Sequence, residues 1–369
     1  MRIAIVGAGP VGMLLAAALH HRAVKDFELR WVVRNKALRK SVSHKGLLLF
    51  PQSTKPVKAA KSFVPDPSRI PPETEELTPP DRLAQLVACF ERKPRRTLRF
   101  EDAQLMTSTD ELDEFSPEVV LVAVKAHSVL RLRRKLAKSN AITIFVANGF
   151  WMHPGMDLGV LLAGGFSDGN RLSYGRGGKI LLGRLKSPHA EFLLAQPENG
   201  PPGALIYNLR ELELMEELTK ALDPDFIQGE LVADIYPHML QKAIVNCLVN
   251  PLSAASGEVN GALLEPWAGG IVAAMLEEIL SVLKTASFLP EDDERFTNNA
   301  LLSAFEEVCR ATFHNRSSMQ VDVLRGRPTE LPHLNMLVAH LGERYGIPCP
   351  LNRTVSEMVL MTSAFHQPV

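Results

Sequence analysis

The fold of this chain is decided near its start, by the stretch RIAIVGAGPVG at residues 2–12. After Arg2, the next four residues are apolar and three of them are β-branched, which is typical of a short buried parallel strand. A G-x-G-x-x-G pattern follows at once, and residues 10–21, rich in Leu, Ala and Met, predict a helix. The run ELRWVV at 28–33 predicts a second strand. Strand, glycine turn, helix and strand form the βαβ unit that opens a Rossmann dinucleotide-binding domain.

The glycine loop predicts an anion-binding turn, because each glycine has a separate steric task. Gly7 permits the tight turn, Gly9 lets the backbone approach a pyrophosphate, and Gly12 allows helix and strand to pack closely. A proline costs little in the first helical turn, and the free N–H groups of that turn attract a phosphate. The predicted cofactor-binding residues of this loop are Gly7, Ala8, Gly9, Pro10, Val11 and Gly12. A glycine turn that binds no nucleotide is the alternative.

The end of the second predicted strand indicates which dinucleotide is bound. NAD enzymes place Asp or Glu there, where the carboxylate holds the ribose hydroxyls. This chain has the run VRNK at 33–36, so an acidic residue is absent and Arg34 takes its place. A guanidinium group suits a 2′-phosphate. We therefore expect NADP(H) rather than NAD(H).

Length and pattern predict an α/β protein of two domains. The chain has 369 residues, more than a single domain usually holds. Residues from about 42 to 96 include a Pro-rich run and predict a partly irregular insertion, either functional or simply tolerated at the surface. From about residue 212 the apolar period becomes helical. We predict an N-terminal Rossmann domain over 1–211 and a C-terminal, mainly α-helical domain over 212–369.

Two further apolar runs, at 119–124 and 141–147, predict central parallel strands of the Rossmann domain. Each ends in polar residues, Lys125 after the first run and Asn148 after the second. Open α/β sheets bind their ligands at the carboxyl ends of the strands, so both residues are candidates for a binding site. The glycine-rich stretch 175–185 predicts a hairpin or an edge strand.

Composition excludes several classes of protein. Lys plus Arg and Asp plus Glu balance at 41 each, which argues against a nucleic-acid or membrane partner. The four cysteines are widely spaced, as suits a reducing compartment, and form no metal-binding pattern. Glycines interrupt the apolar N-terminus and no apolar run reaches about 18 residues, so we expect neither a signal peptide nor a membrane span. We expect a cytoplasmic protein without a metal.

The most informative run of the second half is YPHMLQKAIVNCLVNPL, residues 236–252. Lys242, Asn246 and Asn250 are spaced by four and therefore share one face of a predicted helix over 236–249. The residues around them are largely apolar, which indicates burial, and buried lysine and asparagine side chains need polar partners. A substrate would supply those partners. A solvated polar face, or an asparagine that caps the helix ahead of Pro251, is the alternative.

A second polar cluster covers residues 317–330, with two serines followed by charged side chains. Taken alone, it is better explained as the start of a polar helix, with Ser317 or Ser318 as the N-cap and the charges facing water.

Taken together, these motifs resemble the ketopantoate reductase (2-dehydropantoate 2-reductase) family. GAGPVG, AVKAH, ANG, QKAIVNCLVNPLSA, VNGAL, SSMQVDVLRGRPTE and GIPCPLN occur in the family's order and span nearly the whole chain. The resemblance implies that Lys242 is a proton donor. It implies a substrate site at Asn148, Asn246, Asn250, Asn260 and Ser318, and further cofactor contacts at Arg34, Lys125, Asn148 and Glu330. The Pro-rich insertion and the run FWMHP after ANG depart from the family's pattern.

The resemblance implies NADPH-dependent reduction of ketopantoate to pantoate, a step of pantothenate and coenzyme A biosynthesis. Two alternatives stay open: a reductase of a different 2-oxo acid, and a non-catalytic NADPH-binding sensor. The presence of Lys242 together with its asparagines argues against the sensor, which would need no acid. The expected partner is a small-molecule 2-oxo acid, and a homodimer is one candidate for the oligomeric state.

Overall fold

The computed structural model describes residues 1–23, 27–52, 87–150, 156–186, 207–290 and 292–365. These residues form two compact units, the first within 1–52 and 89–239 and the second within 240–365 together with residues 87 and 88. The first contains a mostly parallel sheet with helices and the second is built of helices, so the predicted α/β fold class is confirmed.

Twelve strands lie in the described part of the first unit. They are β1 (Arg2–Val6), β2 (Glu28–Val32), β3 (Leu47–Pro51), β4 (Arg96–Leu98), β5 (Leu105–Met106), β6 (Val119–Val122), β7 (Ile142–Phe145), β8 (Asp157–Leu162), β9 (Gly165–Asp168), β10 (Arg171–Tyr174), β11 (Gly178–Arg184) and β12 (Ile227–Leu231). Eight form one sheet in the order β12-β11-β8-β7-β6-β1-β2-β5, in which the pairs from β8 to β5 are all parallel. The strand order reverses between β6 and β1, where open α/β sheets bind their ligands.

The five helices in the described part of this unit are α1 (Pro10–Ala23), α2 (Lys36–Lys45), α3 (Glu111–Phe115), α4 (Val129–Leu136) and α5 (Leu209–Ala221). Side-chain caps fix where two of them begin. The Asn35 side chain accepts the N–H of Leu38 at the start of α2. At α5, Asn208 and Glu211 form a reciprocal capping box.

Helix α1 explains the long apolar run near the start of the chain. All seven residues from 13 to 19 are buried. The helix packs on β1 and β2 of the large sheet and also on β9 and β10, which belong to a second sheet of order β4-β3-β10-β9. A helix held between two sheets has no solvent-facing side, so it is apolar all round instead of amphipathic.

The second sheet draws on both ends of the predicted insertion. Strand β3 lies at 47–51 and pairs with β10 in parallel, while β4 lies at 96–98 and pairs with β3 antiparallel. Both ends of the stretch 42–96 are therefore regular, because distant strands supply their hydrogen bonds. The Pro-rich run at 53–86 lies outside the described residues.

The edge of the large sheet also differs from expectation. The prediction of a hairpin or edge strand at 175–185 is wrong, because β11 lies between β8 and β12. Strand β12 then forms the sheet edge, and the first compact unit extends to Met239, past the domain boundary predicted at 211/212. Arg184, buried at the end of β11, links this strand to β8 and α5. Its guanidinium lies 3.0 Å from Asp157 Oδ1 and 3.1 Å from Glu211 Oε1.

Helix α6 (Tyr236–Ser256) crosses from the first unit into the second, which adds α7 (Pro266–Thr285), α8 (Asn298–Ala311), α9 (Ser318–Leu324), α10 (Asn335–Tyr345) and α11 (Pro350–Phe365). The prediction of a mainly helical C-terminal part is confirmed, although α6 was expected to end at Val249. It continues because Pro251 is accommodated inside it. At α11, Glu278 accepts the backbone N–H groups of Leu351 and Asn352, each at 2.9 Å, and so caps the helix N-terminus.

Within the described residues, α7 alone is long and apolar enough to cross a membrane by length and composition. Its buried residues recur at the spacing of a helix packed in a core, at positions such as Val272, Leu276, Ile279 and Leu283. The helix packs on α8, α10 and α11. The expectation that this protein has no membrane partner stays a prediction.

Candidate active site

The glycine loop after β1 is fixed by backbone contacts. Gly7 has φ +119°, and a Cβ atom there would lie 2.1 Å from the carbonyl oxygen of Ala123. A Cβ atom on Gly12 would lie 2.1 Å from the carbonyl oxygen of Gly7, which is far inside any permitted contact. The predicted tasks of these two glycines, a tight turn and close packing of helix and strand, match this geometry.

Gly9 differs from the other two glycines. Within the described part of the chain, no atom beyond its two neighbours lies within 4 Å of a Cβ atom built on it, and its φ is not in the left-handed region. Packing within the chain therefore does not require glycine at this position. A close approach by a pyrophosphate does, and the N–H groups of the first turn of α1 supply the donors. The loop thus fits the diphosphate of a dinucleotide.

Trp31 supports the loop, which the sequence did not predict. This residue of β2 is fully buried, and its indole N–H donates to the carbonyl oxygen of Gly7 at 2.8 Å. A tryptophan in a predicted strand carries no signal for such a contact, because the partner lies 24 residues away and is a backbone atom. The bond restrains the carbonyl that Gly12 packs against.

Three other predicted cofactor residues follow neighbouring parallel strands. Arg34 follows β2, Lys125 follows β6 and Asn148 follows β7, and these strands lie on either side of β1 in the order β7-β6-β1-β2. The carboxyl ends of parallel strands meet at one sheet edge, so the structure brings these residues to the edge that carries the glycine loop. Arg34 is exposed, whereas Lys125 and Asn148 are half-buried.

The second unit carries the remaining predicted residues, beginning with the polar face of α6. Lys242 and Asn246 on this face are half-buried, and Asn250 is buried. Burial lowers the pKa of Lys242 to about 8, and the negative charge of Glu330 acts against that decrease. Glu330 is itself buried. A lysine with a pKa close to neutral pH can release its proton during a reaction, which an ordinary surface lysine does poorly.

The two serines at 317 and 318 have different positions. Ser317 is the N-cap of α9: it is buried, its Oγ accepts the N–H of Gln320 at 3.1 Å, and its hydroxyl donates to the carbonyl oxygen of Asn250 at 3.3 Å. Ser318 is the first helical residue and is exposed. The capping task therefore falls on Ser317, and it leaves the hydroxyl of Ser318 available to a substrate.

Asn260 is held firmly by its own surroundings. It is buried, its Nδ2 donates to Thr312 Oγ1 at 2.9 Å, and its backbone N–H donates to the carbonyl oxygen of Asn315 at 2.8 Å. Its Oδ1 is buried without a protein partner. The side chain can therefore still accept one hydrogen bond, from a hydroxyl for example.

The charged residues that follow Ser318 only partly face water. Asp322 is buried and pairs with Arg327, whose NH2 lies 3.0 Å from Asp322 Oδ1. The simple interpretation of this cluster as a solvated helix face therefore does not hold for Asp322. Across the described ranges, no group of three His, Cys, Asp or Glu side chains is placed to hold a metal ion.

Comparison with known proteins identifies the family. The sequence model described as "Ketopantoate reductase PanE/ApbA" matches residues 3–157, and the one described as "Ketopantoate reductase PanE/ApbA C terminal" matches residues 234–362. The first match contains the glycine loop and the strand-end residues, and the second contains the polar face of α6. The chain belongs to the ketopantoate reductase PanE/ApbA family.

Curated relatives carry the family's name at modest identity. The 2-dehydropantoate 2-reductase of Vibrio cholerae is 31% identical over 35% of this chain and 47% of its own length. That of Aquifex aeolicus is 25% identical over 68% of this chain and 78% of its own. The match therefore spans about half of the first relative's length and more of the second's.

Solved structures share the fold over the whole chain. The PanE/ApbA family ketopantoate reductase from Ralstonia eutropha superposes with a TM-score of 0.67 at 17% identity and covers 100% of both chains. A D-mandelate dehydrogenase, solved with NADH and anilino(oxo)acetate, has the same TM-score at 15% identity and covers 99% of both chains. The ketopantoate reductase fold is thus shared with a protein that carries the name of a dehydrogenase.

Proposed function

We propose that this protein is an NADPH-dependent reductase of a 2-oxo acid, with ketopantoate as substrate and pantoate as product. The observation that carries the proposal is Lys242, whose pKa is lowered to about 8 on a helix face that it shares with Asn246 and Asn250. Membership of the ketopantoate reductase family supports the choice of substrate.

The glycine loop and Arg34 account for the cofactor in this proposal. The loop would hold the diphosphate, and the guanidinium of Arg34 would bind the 2′-phosphate that distinguishes NADPH from NADH. Lys125 and Asn148, at the neighbouring strand ends, would make further contacts, as would Glu330. A bound NADPH supplies the hydride that reduces the ketone carbon.

Lys242 would act on the carbonyl oxygen of the substrate. As the carbonyl carbon gains a hydride, negative charge develops on that oxygen, and a protonated Lys242 Nζ stabilises it. The Nζ then gives its proton to the oxygen, so that the product is a 2-hydroxy acid and the lysine is left neutral. Glu330 opposes the effect of burial on the pKa of Lys242 and so favours the protonated form before the reaction.

The amide and hydroxyl groups would orient the substrate. Asn246 and Asn250 lie on the same helix face as Lys242, Ser318 presents an exposed hydroxyl, and Asn260 keeps one free acceptor oxygen. Ketopantoate carries a carboxylate, a ketone and a hydroxyl, and it can use donors and acceptors of this kind. Asn148 would contact both cofactor and substrate. Hydrogen bonds that hold the ketone in place contribute to rate by orientation.

A different 2-oxo acid is the second candidate substrate. The fold neighbour D-mandelate dehydrogenase, solved with an aromatic 2-oxo acid analogue, favours this possibility, as does the departure from the family's pattern at FWMHP. Of that run, Phe150 is buried, and the four residues after it lie outside the described part. This candidate keeps the role of Lys242 and changes only the groups that contact the substrate side chain.

The deciding experiment is a steady-state assay of NADPH oxidation with ketopantoate and a panel of aliphatic and aromatic 2-oxo acids. We expect the highest kcat/KM for ketopantoate, because this ratio reports discrimination in the transition state. A clear preference for another acid would leave the chemistry and replace the substrate. Tight NADPH binding without turnover of any acid would refute the proposal in favour of the NADPH-binding sensor.

Three remaining expectations belong to this proposal. If ketopantoate is the substrate, the reaction serves pantothenate and coenzyme A synthesis. A homodimer is the candidate assembly, which light scattering coupled to size exclusion would test. A cytoplasmic location would follow for an enzyme of this pathway.

A further inference from the structure

Helix α6 contains a proline directly after the last residue of its polar face. Pro251 lies inside the helix and follows Asn250. A proline has no N–H, so the carbonyl oxygen four residues earlier, that of Cys247, loses its helical donor. Cys247 lies between Asn246 and Asn250, two of the residues on which the proposed substrate site depends.

Asn335, at the start of α10, supplies the missing donor. Its Nδ2 donates to the carbonyl oxygen of Cys247 at 2.9 Å and to Asn352 Oδ1 at 2.8 Å, and the residue is fully buried. Both neighbours are acceptors, so the amide must present its nitrogen to them. Its own Oδ1 is buried without a partner. The protein thus tolerates one unsatisfied oxygen to keep this nitrogen in place.

A second row of side chains fixes the amide of Asn352. Its Nδ2 donates to the Glu278 carboxylate at 2.7 Å and to the carbonyl oxygen of Met275 at 3.2 Å, both on α7. Its Oδ1 must therefore face Asn335. A chain of hydrogen bonds thus leads from Glu278 through two asparagines to the one carbonyl of α6 that Pro251 has freed.

We propose that Asn335 is a positioning residue for the polar face of α6, and that it acts by holding the Cys247 carbonyl that Pro251 leaves without a helical donor. The backbone conformation at 247–251 sets the placement of Lys242 and Asn246 relative to Asn250. The expected effect of Asn335 on turnover rests on the proposed function. Its hydrogen bond to the Cys247 carbonyl does not depend on that function. Asn335 itself contacts neither substrate nor cofactor in this proposal.

A double-mutant cycle tests the structural part without any activity assay. Asn335→Ala, Pro251→Ala and the double variant are compared with the wild type by equilibrium unfolding. Alanine at 251 restores an N–H to the Cys247 carbonyl, so Asn335→Ala should cost much less in that background. We expect a difference of about tenfold in the unfolding equilibrium constant between the two backgrounds. Additive effects would overturn the link between Asn335 and Pro251.

Turnover tests the positioning part, with Val338→Ala as the matched control. Val338 is fully buried on the same helix, α10, and does not contact the Cys247 carbonyl through a polar group. We expect Asn335→Ala to lower kcat/KM by roughly 10- to 100-fold, chiefly through kcat, with the Kd for NADPH unchanged. In the Pro251→Ala background, Asn335→Ala should cost little stability but should not regain turnover, because alanine at 251 itself changes the helix backbone that carries Lys242 and Asn246.

The outcomes separate the possible failures. Equal losses of kcat/KM in Asn335→Ala and Val338→Ala would make Asn335 a merely structural residue and overturn the positioning role. A wild type that turns over no 2-oxo acid would refute the proposed function, while the unfolding cycle would still decide whether Asn335 serves the carbonyl freed by Pro251. If Asn335→Ala does not fold, Asn335→Ser replaces it in both measurements, because the serine hydroxyl is one atom shorter than the asparagine amide and falls short of the Cys247 carbonyl while it keeps the site polar.

Discussion

The glycine loop of the first unit and the polar face of α6 in the second are two candidate binding surfaces of different construction. The loop consists of backbone, and its residues matter for the side chains they lack: Gly7 and Gly12 leave room for carbonyl oxygens 2.1 Å from where a Cβ atom would lie. The face of α6 consists of side chains, and the chemistry of Lys242 depends on burial and on Glu330, 88 residues away in sequence.

The difference determines what each surface can do. A loop of N–H groups at a helix N-terminus binds any phosphate that fits and provides no acid or base. Burial of a lysine lowers the stability of the folded protein, because burial disfavours the charged form of the side chain. The same effect lowers the pKa of the lysine, so that it can release its proton near neutral pH. In the proposed function, cofactor binding and acid chemistry therefore belong to elements of different construction, and mutations should separate them.

The sharpest test of this division is Lys242→Ala. We expect kcat for 2-oxo acid reduction to fall by about 10²- to 10⁴-fold, the usual contribution of a positioned general acid. The Kd for NADPH should change little, since the cofactor diphosphate is assigned to the glycine loop. Steady-state kinetics and a fluorescence titration of NADPH measure the two quantities.

Two variants control for that result. Lys284→Ala removes an exposed lysine from α7 of the same unit and should leave kcat unchanged. Lys242→Arg keeps the positive charge but holds its proton too firmly to release it, so its kcat should stay well below that of the wild type. Near wild-type turnover in Lys242→Ala would exclude this residue as the acid.

The matching test on the loop compares Gly12→Ala with Gly9→Ala. Alanine at 12 would gain about 1 kcal/mol of helix propensity. The clash with the Gly7 carbonyl outweighs that gain, because a contact of 2.1 Å forces backbone to move. We expect Gly12→Ala to lose about 2 kcal/mol or more of stability, as other strained or overpacked sites do.

Gly9→Ala should keep the stability of the wild type within about 0.5 kcal/mol, because its new methyl group meets no protein atom. Its Kd for NADPH should rise, since the methyl group would lie where a pyrophosphate approaches. Thermal unfolding and NADPH titration measure both variants. Unchanged NADPH affinity in Gly9→Ala would contradict the assignment of this loop to the cofactor.

Local patterns predicted the first part of the fold well. Strand β1, the glycine loop and α1 follow from residues 2–21, because their apolar period and glycines act within a few residues of each other. The second sheet could not be predicted in this way. Strand β4 has three residues and β3 precedes a Pro-rich run, and both are held by pairing with strands far along the chain.

The site shows the same limit. The spacing of Lys242, Asn246 and Asn250 predicts one helix face, and the structure has it. No spacing predicts that α6 continues through Pro251. The proline cannot donate to the Cys247 carbonyl, and the side chain of Asn335, far along the chain, donates to it instead. Likewise, capping preferences could not decide between Ser317 and Ser318. In the structure, the buried Ser317 is the N-cap, because its side chain accepts the N–H of Gln320.

A smaller effect is expected from Arg34→Ala. This residue is exposed at the end of β2, and in the proposal its guanidinium binds the 2′-phosphate. Loss of a charge-assisted hydrogen bond should raise the KM for NADPH by roughly 10- to 100-fold and leave the KM for NADH nearly unchanged. Lys36→Ala, two residues away and also exposed, is the control. Equal effects on both cofactors would contradict the role of Arg34.

The smallest effect is the pH dependence of the Lys242 proton. Reduction needs Lys242 protonated, and its pKa is about 8, so kcat/KM should be level below pH 8 and fall above it. Glu330 raises that pKa, so Glu330→Gln should move the alkaline limb to lower pH, whereas Glu357→Gln, exposed on α11, should not.

The contribution of Lys242 to the free energy of unfolding should change with pH in the opposite direction to activity. The folded pKa of about 8 lies below the ordinary 10.5, so the unfolded chain holds more protons between these values, and stability gains from Lys242 as the pH rises through that window. Activity and stability moving in the same direction there would mean that Lys242 is not the group that titrates.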